Sequence, residues 1–487
     1  MRDMMVIINL DGRASRSMAQ KLRAEHIYCR ILPAETAAGD IAALDPQGIV
    51  LAGGETGEAP EYPAAAELLE SGLPMLAMGD AALTLCCALG GSLGEKAAEA
   101  GVVQVRYAGD DTLLREVEDG ERYLPACRFM APPASAEPIA LADGGILGFR
   151  SGARPIYALA FQTERNDPDG TQLLMNFCCE VCGCTLWWSD QAFIDHAIQE
   201  LERLSDGGEA LCAISGGVDS GVCALLGSRA LGSRLHCIFI DTGLLRDNEG
   251  DQVISFFQDE VGLEVQRINA AEEFLTALEG VTDPGEKEKI IFAHLRAILR
   301  REIGRYPQVR LLLQGTNYSD TLDEEPPVPM ENQGARVRIA EPVRELFKEE
   351  IRHVAEALDM PKAICRRQSF PGSGLALRII PAVTPERLEV LRIADSVFLD
   401  EIETAGQNRR LLKYFATLAA DPMPGSGQYI VILRAVAAAD GDTAVAARLP
   451  ADLMERTTER ILAALPQVSR VMYDLTPSRD YSHQGWQ

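Results

Sequence analysis

Residues 213–220, with the sequence AISGGVDS, are the stretch that most strongly indicates the fold of this 487-residue chain. They end an apolar segment, ALCAIS, that predicts a buried strand, and they lead into GVCALLGSRAL, which predicts a helix. A glycine-rich turn between a strand and a helix lets backbone N–H groups converge on a phosphate. Such turns also occur without a ligand, so the pattern favours a nucleotide-binding α/β domain but leaves the alternative open.

The side chains of this turn suit a phosphate and its metal ion. The hydroxyls of Ser215 and Ser220 can donate hydrogen bonds to phosphate oxygens, and the carboxylate of Asp219 can hold Mg²⁺. No Gly-Lys-Ser/Thr follows the glycines, so the turn is not a Walker A loop.

Length, composition and charge limit the classes of protein to which the chain can belong. The length suggests about three domains, and 47% hydrophobic with 24% charged residues is typical of globular proteins. A net charge of -26 argues against nucleic acid or an anionic membrane as a partner. No apolar window reaches transmembrane length, and no small-residue cleavage site follows the N-terminal apolar run. Twelve cysteines without regular pairing fit a reducing compartment, so we expect a cytoplasmic protein.

Strand and helix patterns alternate in two parts of the chain. The first part runs from MMVIINLDG through GIVLAGGE and LPMLAMGD to IYALAFQTE, and the segment SDQAFIDHAIQELERL predicts a linker helix after it. The second part contains the strand candidates ALCAIS, LHCIFIDTG, LEVQRINA and RLLLQGT. A proline-rich acidic loop, residues 322–334, then predicts a lid or disorder. The strands YIVILRAV and SRVMYDLT predict a smaller α+β unit at the end.

Several motifs together identify a family. SGGVDS resembles the pyrophosphate-binding loop of the N-type ATP pyrophosphatases, which cleave ATP to AMP and pyrophosphate. Further segments, in the order and approximate spacing of the GMP synthase family, extend the resemblance over nearly the whole chain. They are CIFIDTGLLR (237–246), GVTDPGEKEKII (280–291), LLLQGTNYSDTLDE (311–324), EPVRELFKEEIR (341–352) and FPGSGLALRI (370–379).

This resemblance implies an architecture and a reaction. It implies a class-I glutamine amidotransferase-like domain at 1–188, an ATP pyrophosphatase domain of the adenine nucleotide alpha hydrolase type at 189–371, and an α+β dimerisation domain at 372–487. The fold class is thus two parallel-sheet α/β domains followed by an α+β domain. The implied reaction uses ATP and Mg²⁺ to activate the 2-oxygen of xanthosine monophosphate, and ammonia then displaces AMP to give GMP. A homodimer is implied as well.

The resemblance also assigns roles to individual residues. Asp219 would be the Mg²⁺ ligand and the catalytic group of the ATP site, and Arg378 and Arg479 would contact the nucleotide substrate. The remaining residues assigned to ATP binding are Ser215, Gly216, Gly217, Val218, Ser220, Asp241, Gln314, Gly315 and Thr316.

The amidotransferase-like part departs from its family at the residues that carry the chemistry. The family's nucleophilic cysteine corresponds to Gly79 in PMLAMGDAAL (74–83), and its catalytic histidine corresponds to Gln162 in AFQTE (160–164). Glu164 remains at the third position, and no histidine lies between His26 and His196. A thiolate nucleophile needs a base, and an amide cannot take a proton. The sequence therefore predicts a scaffold without glutaminase activity, in which glycine allows a positive φ at the turn.

Two further departures leave the acceptor open. The lid segment lacks the family's lysine and paired histidines and offers only Arg336 and Arg338, and the C-terminal DLTPSRDYSHQGWQ replaces residues that contact the nucleotide. Three functions follow: an amidating enzyme fed by free ammonia or by a separate ammonia-supplying partner, an ATP pyrophosphatase acting on a different acceptor, or a non-catalytic nucleotide-binding regulator.

The segment CCEVCGC (178–184) contains a C-x-x-C pair that could ligate a metal. It lacks a second ligand pair at finger-like spacing, and His196 is the single histidine near it. Ordinary buried or surface thiols are therefore the favoured interpretation.

Overall fold

The chain folds into two compact units, Met1–Phe193 and Ile194–Gln487, which are described separately. The structure is a computed structural model. It describes residues 3–96, 101–124, 126, 128–151, 155–162, 168–318, 320, 330–365, 372–423, 428–438 and 444–476.

The first unit is built on one mixed sheet flanked by helices. Its strands are β1 (Met5–Asn9), β2 (Cys29–Pro33), β3 (Gly48–Ala52), β4 (Met75–Met78), β5 (Ser92–Lys96), β6 (Gly101–Tyr107), β7 (Gly120–Leu124), β8 (Arg128–Ala131), β9 (Ala136–Ala142), β10 (Gly145–Ser151) and β11 (Ile156–Leu159). Its helices are α1 (Gly12–Ala24), α2 (Ala38–Ala43), α3 (Ala65–Glu70), α4 (Asp80–Ala88) and α5 (Pro168–Met175), followed by a π-helical turn at Asn176–Val181.

The parallel half of this sheet has the order β2-β1-β3-β4-β11. Its central strands β3, β4 and β11 are buried along their whole length. Continuous apolar strands are typical of parallel sheets covered on both faces, so this half was predictable from the sequence. The strands β10, β9, β6 and β7 extend the sheet in antiparallel fashion, which the sequence patterns did not predict.

The second unit contains two sheets. Its strands are β12 (Glu209–Ile214), β13 (Leu235–Asp241), β14 (Val265–Asn269), β15 (Val309–Leu313), β16 (Met330–Asn332), β17 (Ala335–Ala340), β18 (Lys413–Ala420), β19 (Tyr429–Ala438), β20 (Ala444–Ala446) and β21 (Val468–Tyr473). Its helices are α6 (Asp190–Ser205, which begins in the first unit), α7 (Val218–Leu231), α8 (Glu249–Ser255), α9 (Ala271–Ala277), α10 (Pro284–Ile303), α11 (Lys348–Ala357), α12 (Lys362–Cys365), α13 (Pro385–Thr404) and α14 (Ala451–Ala464).

The larger sheet has the parallel order β14-β13-β12-β15-β17, with β16 antiparallel at its edge. The prediction of a long loop at 322–334 is wrong for its last part, because β16 lies there. Gln333 and Gly334 have φ of 52° and 75°, and two consecutive positive φ angles make the tight hairpin turn that joins β16 to β17. The rest of this predicted lid or disordered loop, residues 322–329, falls outside the described residues.

The smaller sheet has the order β18-β19-β20, with β21 parallel to β19. This sheet, α13 and α14 share one hydrophobic core with the larger sheet, from Leu211 and Ile238 to Val431 and Val468. The α/β, α/β and α+β fold class is confirmed. The division into domains at residues 188 and 371 stays a prediction, because the second unit is continuous. Among the described residues, no helix is long and apolar enough to cross a membrane.

Candidate functional site

The residues predicted to bind ATP lie at the carboxyl edge of the larger sheet in the second unit. The loop 215–217 follows β12, Asp241 ends the neighbouring β13, and Gln314–Thr316 follow β15 on the other side. The chain runs from β12 outward to β13 and β14 and then returns to β15 on the opposite side of β12. Such a reversal of strand order opens a crevice at the carboxyl ends of the strands, which is where α/β sheets bind ligands.

Hydrogen bonds between the two serines shape the loop. Ser220 Oγ accepts from the Ser215 N–H at 3.0 Å, lies 3.0 Å from Ser215 Oγ, and donates to the Gly217 carbonyl at 3.1 Å. Gly216 has a φ of 83°, and a Cβ there would lie 2.7 Å from Val253 Cγ2. Glycine is therefore required at this position, and the two hydroxyls lie side by side at the start of α7.

The N-terminus of α7 is open to a ligand. Gly217 occupies the N-cap position, and because it has no side chain the helix lacks an N-cap side-chain hydrogen bond. A Cβ on Gly315 would come within 2.7 Å of the Ser220 backbone nitrogen, so the turn after β15 packs directly against the start of α7. Uncapped N–H groups and the helix dipole together favour an anion such as phosphate at this end.

Asp219 faces this opening and is only partly satisfied. Its Oδ2 accepts a short hydrogen bond from Nζ of Lys348, the first residue of α11. Its Oδ1 is buried and has no hydrogen-bond partner among the described residues. A buried carboxylate oxygen without a partner is costly, and a hard cation bound to oxygen ligands would satisfy it. The residues present thus fit Mg²⁺.

Asp241 holds the wall of the crevice together. Its Oδ1 accepts from the Gly243 N–H at 3.0 Å, and its Oδ2 accepts from Nε and Nη2 of Arg267 at 3.1 and 2.6 Å. Charge-assisted contacts of this kind fix a side chain firmly. Asp241 therefore lies at the carboxyl end of β13, and both of its carboxylate oxygens accept hydrogen bonds from neighbouring residues of the protein.

Arg378, predicted to contact the nucleotide substrate, lies in a buried ionic cluster. It is 3% exposed, its guanidinium stacks over Phe415 at 4.5 Å, and Asp395 lies 3.6 Å from its Nη1. Asp395 also accepts from Arg246 Nε at 2.8 Å. Burial lowers the pKa of Arg378 to about 10 although Asp395 acts in the opposite direction. Arg378 is thus buried in the core beside α13, and its contact with the nucleotide substrate stays a prediction. The other predicted contact, Arg479, lies outside the described residues.

In the first unit, the elbow between β4 and α4 has the predicted glycine conformation. Gly79 has φ of 62° and ψ of -137°, a region that L side chains rarely adopt. A Cβ on Gly79 would overlap Gln162 Nε2 and the Gly54 carbonyl oxygen, and it would lie 3.0 Å from the Gly53 carbonyl oxygen. Gln162 Nε2 donates a short hydrogen bond to the Gly53 carbonyl. The space beside the nucleophile position is thus filled by the amide of Gln162.

The backbone donor that follows a nucleophile in such elbows is also occupied. That N–H ordinarily contributes to an oxyanion hole, whereas here the Asp80 N–H donates to the Gly54 carbonyl at 2.8 Å. The carboxylate of Asp80 is buried and accepts from the N–H and hydroxyl of Thr56 and from the Gly57 N–H, at 2.7 to 2.8 Å. The glycine loop after β3 is therefore tied to the start of α4.

No described cysteine or histidine of the first unit offers a substitute pair near the elbow. Burial, with the neighbouring Cys87 charge, raises the pKa of the Cys86 thiol to about 11, so it is protonated at neutral pH. His26 is held by the Trp188 carbonyl, 2.9 Å from its Nδ1. Glu164 lies outside the described residues.

The cysteine-rich segment contains a deeply buried thiol. Cys178 is fully buried, and burial raises the pKa of its thiol well above the usual value. The described residues contain no group of three or more His, Cys, Asp or Glu side chains placed to hold a metal ion.

Sequence reasoning missed three residues that shape these two sites. Lys348 lies in the quoted segment EPVRELFKEEIR, and its position at the start of α11 gave no sign that it reaches Asp219. Asp80 follows Gly79 directly and is buried. A carboxylate in an otherwise apolar elbow indicates that it accepts hydrogen bonds inside the protein. Arg267 could not be found, because only the pairing of β13 with β14 brings it to Asp241.

Comparison with known proteins gives consistent matches. A family model described as GMP synthase C terminal domain matches residues 400–480. A protein of Caldicellulosiruptor saccharolyticus named GMP synthase [glutamine-hydrolyzing] is 34% identical, covering 97% of this chain and 98% of its own. Proteins of the same name from Acetivibrio thermocellus and Symbiobacterium thermophilum are 33% and 34% identical, with 97% or more of each chain covered.

Proposed function

The chain belongs to the GMP synthase family, and we propose that it aminates xanthosine monophosphate to GMP with ATP, using ammonia that it does not release from glutamine itself. One contrast carries the proposal. The start of α7 is uncapped and lies beside a partly unsatisfied Asp219, whereas the elbow of the first unit is filled by Gln162 and Gly54. One site is ready for a ligand, and the other is closed.

The residues of the second unit support a role in holding ATP. The N–H groups at the start of α7 and the hydroxyls of Ser215 and Ser220 would bind the phosphate oxygens that leave as pyrophosphate. Lys348 would add a positive charge on the same side, once it is released from Asp219. Gln314, Gly315 and Thr316 would line the crevice from the neighbouring strand. The N–H groups of α7 and the two serines are positioned before the ligand arrives, so they need little reorganisation during the reaction.

Asp219 is the residue that would hold Mg²⁺, through Oδ1, which has no hydrogen-bond partner in the described part of the chain. When bound, the ion supplies positive charge to the phosphate oxygens. In the proposed reaction the 2-oxygen of xanthosine monophosphate attacks the α-phosphorus of ATP, and the bond to pyrophosphate breaks. Ammonia then attacks carbon 2, the carbon–oxygen bond breaks, and AMP leaves with the former 2-oxygen.

Three features support a missing glutaminase activity. Gly79 has no nucleophilic atom, Gln162 has no basic nitrogen at neutral pH, and the Asp80 N–H is already bonded to Gly54. An acyl transfer by a thiolate needs all three functions: nucleophile, base and oxyanion donor. In this proposal the nitrogen comes from free ammonia or from a separate ammonia-supplying partner.

We also propose that residues 372–487 form a dimerisation domain and that the protein is a homodimer. Apolar side chains exposed on this part of the chain support the proposal; they are Ile380, Leu412, Met423, Leu462, Met472 and Leu475. Exposed apolar side chains that lie together on a surface are typical of an association site.

The acceptor can be tested with a matched pair of nucleotides. With ATP, Mg²⁺ and ammonium, we expect xanthosine monophosphate to give GMP, AMP and pyrophosphate in equal amounts. Inosine monophosphate should give no pyrophosphate above background, because it has no 2-oxygen to activate. Equal pyrophosphate release with both nucleotides would point to the different-acceptor alternative. No release with any acceptor, together with retained ATP binding, would favour the regulator.

A further inference from the structure

A buried lysine outside the nucleotide crevice organises the segment that follows residue 372. Lys287, in the first turns of α10, is 1% exposed. Its Nζ donates hydrogen bonds to the carbonyls of Ala376, Ile379 and Pro381, at 3.4, 2.5 and 2.8 Å. No step of the proposed reaction uses this side chain.

The segment that Lys287 holds rests on the turn after β13. The Leu375 N–H donates to the Leu244 carbonyl at 2.7 Å. Gly374 has a φ of 63°, and a Cβ on it would lie 2.5 Å from the same carbonyl oxygen. The two chain segments are thus in direct backbone contact, and only glycine allows that approach.

The turn in question forms one wall of the nucleotide crevice. It begins at Asp241, whose carboxylate accepts the Gly243 N–H, and it leads into α8, where Val253 packs against Gly216 of the phosphate loop. From the other side, Arg392 of α13 donates to the carbonyls of Gly243 and Leu245. Backbone carbonyls of the turn therefore receive donors from two elements of the second unit.

We propose that Lys287 is a positioning residue for the ATP site, acting through segment 374–381 on the turn 242–246. The inference rests on the proposed function in taking this crevice as the ATP site. The hydrogen bonds that Lys287 makes with described residues go to the carbonyls of segment 374–381, and its effect reaches the crevice through these carbonyls. In this proposal, segment 374–381 supports the turn 242–246 only while Lys287 binds the carbonyls of the segment.

The chemistry of an ammonium group fits this position. An ammonium has three donors, and three carbonyls surround it, so each donor has one acceptor. A neutral amine has two donors and a lone pair that would face the third carbonyl. Burial lowers the pKa of Lys287 to about 8, with Arg387 acting in the same direction and Asp283 in the opposite one. The charge is retained at neutral pH, where all three bonds can form.

The test compares Lys287→Met with Lys289→Met in the full chain. Methionine keeps much of the length of the side chain without its donors, and Lys289 is an exposed lysine of the same helix. We expect Lys287→Met to weaken binding of a non-hydrolysable ATP analogue about tenfold, which corresponds to about 1.4 kcal/mol. Hydrogen exchange of residues 242–246 should rise in the same variant, and Lys289→Met should change neither quantity.

A second pair of variants alters the contact between segment 374–381 and the turn 242–246 by changing a residue of the segment. Gly374→Ala should push the segment away from Leu244 and weaken analogue binding by a similar factor. Gly406→Ala is its control, because Gly406 has a φ of 64° with nothing within 4 Å of a Cβ. If Lys287→Met fails to fold, this pair still tests the inference.

A double variant separates positioning from general loss of stability. Lys287→Met and Arg392→Met should be non-additive in analogue affinity, since both act on the same turn. Lower thermal stability with unchanged affinity and unchanged exchange at 242–246 would overturn the inference. Analogue binding needs no turnover. A wild-type protein that binds the analogue but is inactive would contradict the proposed reaction, and the effect of the Lys287 variant on analogue affinity could still be measured. A wild-type protein that does not bind the analogue would overturn both.

Discussion

Replacing Asp219 by asparagine is expected to lower ATP-dependent pyrophosphate release at least about 100-fold, the loss typical of removing a group that stabilises transition-state charge. The variant keeps the shape of the side chain and removes its charge. Oδ1, which has no partner among the described residues, would lose its ability to hold Mg²⁺. The ion pair with Lys348 would be lost at the same time, which leaves the lysine free to bind phosphate.

The measurement is pyrophosphate release at saturating ATP, xanthosine monophosphate and ammonium. Asp259→Asn is the matched control, because Asp259 is an exposed carboxylate of the same unit and should leave the rate unchanged. Raising Mg²⁺ should not rescue Asp219→Asn fully, since an amide oxygen is a weaker ligand than a carboxylate. A rate within a factor of about three of the wild type would contradict the role of Asp219, because one missing metal ligand of this kind costs far more.

Replacing Gly79 by alanine is expected to destabilise the first unit by about 3 kcal/mol or more, from a strained positive φ and from overpacking together. A Cβ there would overlap Gln162 and the Gly54 carbonyl. Gly72 supplies the control within the same unit, because it has a φ of 79° and open space around a Cβ. Gly72→Ala should cost only about 1 to 2 kcal/mol, the conformational part alone.

Denaturant unfolding of the two variants measures this difference directly. Equal costs at the two positions would show that the elbow has room for a side chain, which would contradict the closed site. The same geometry predicts that Gly79→Cys gains no glutaminase activity, even when combined with Gln162→His. The Asp80 N–H stays bonded to Gly54 in that variant, so the oxyanion would lack its donor. Measurable glutamine hydrolysis by the double variant would overturn this prediction.

The parts of the fold that the sequence predicted are those with simple patterns. The strands β1, β3, β4 and β12 are short apolar runs between turn residues, and each lies within the apolar segment that predicted it, to within two residues. The antiparallel strands β5 to β10 carry a weaker pattern, because several of them are partly exposed and contain glycine or proline. Their pairing depends on contacts distant in the chain.

The candidate sites show the same limit. The loop 215–220 was identified from the sequence because its neighbours along the chain form the site. The partners of Asp219 and Asp241 were not, since Lys348 and Arg267 come from distant elements. Gln162 was recognised as a missing base, but its second effect, filling the space beside Gly79, required its contact with the loop after β3. The burial of Arg378 could not be predicted from the sequence, because it depends on α13 and β18.

The source of the transferred nitrogen tests the central claim most directly. The full chain is supplied with ATP, Mg²⁺, xanthosine monophosphate and either ¹⁵N-ammonium or glutamine labelled with ¹⁵N in its amide, and the GMP formed is analysed by mass spectrometry. We expect labelled GMP from ammonium and none from glutamine as the sole nitrogen source. Labelled GMP from glutamine, made by the purified chain alone, would contradict the closed amidotransferase-like site and the function proposed from it.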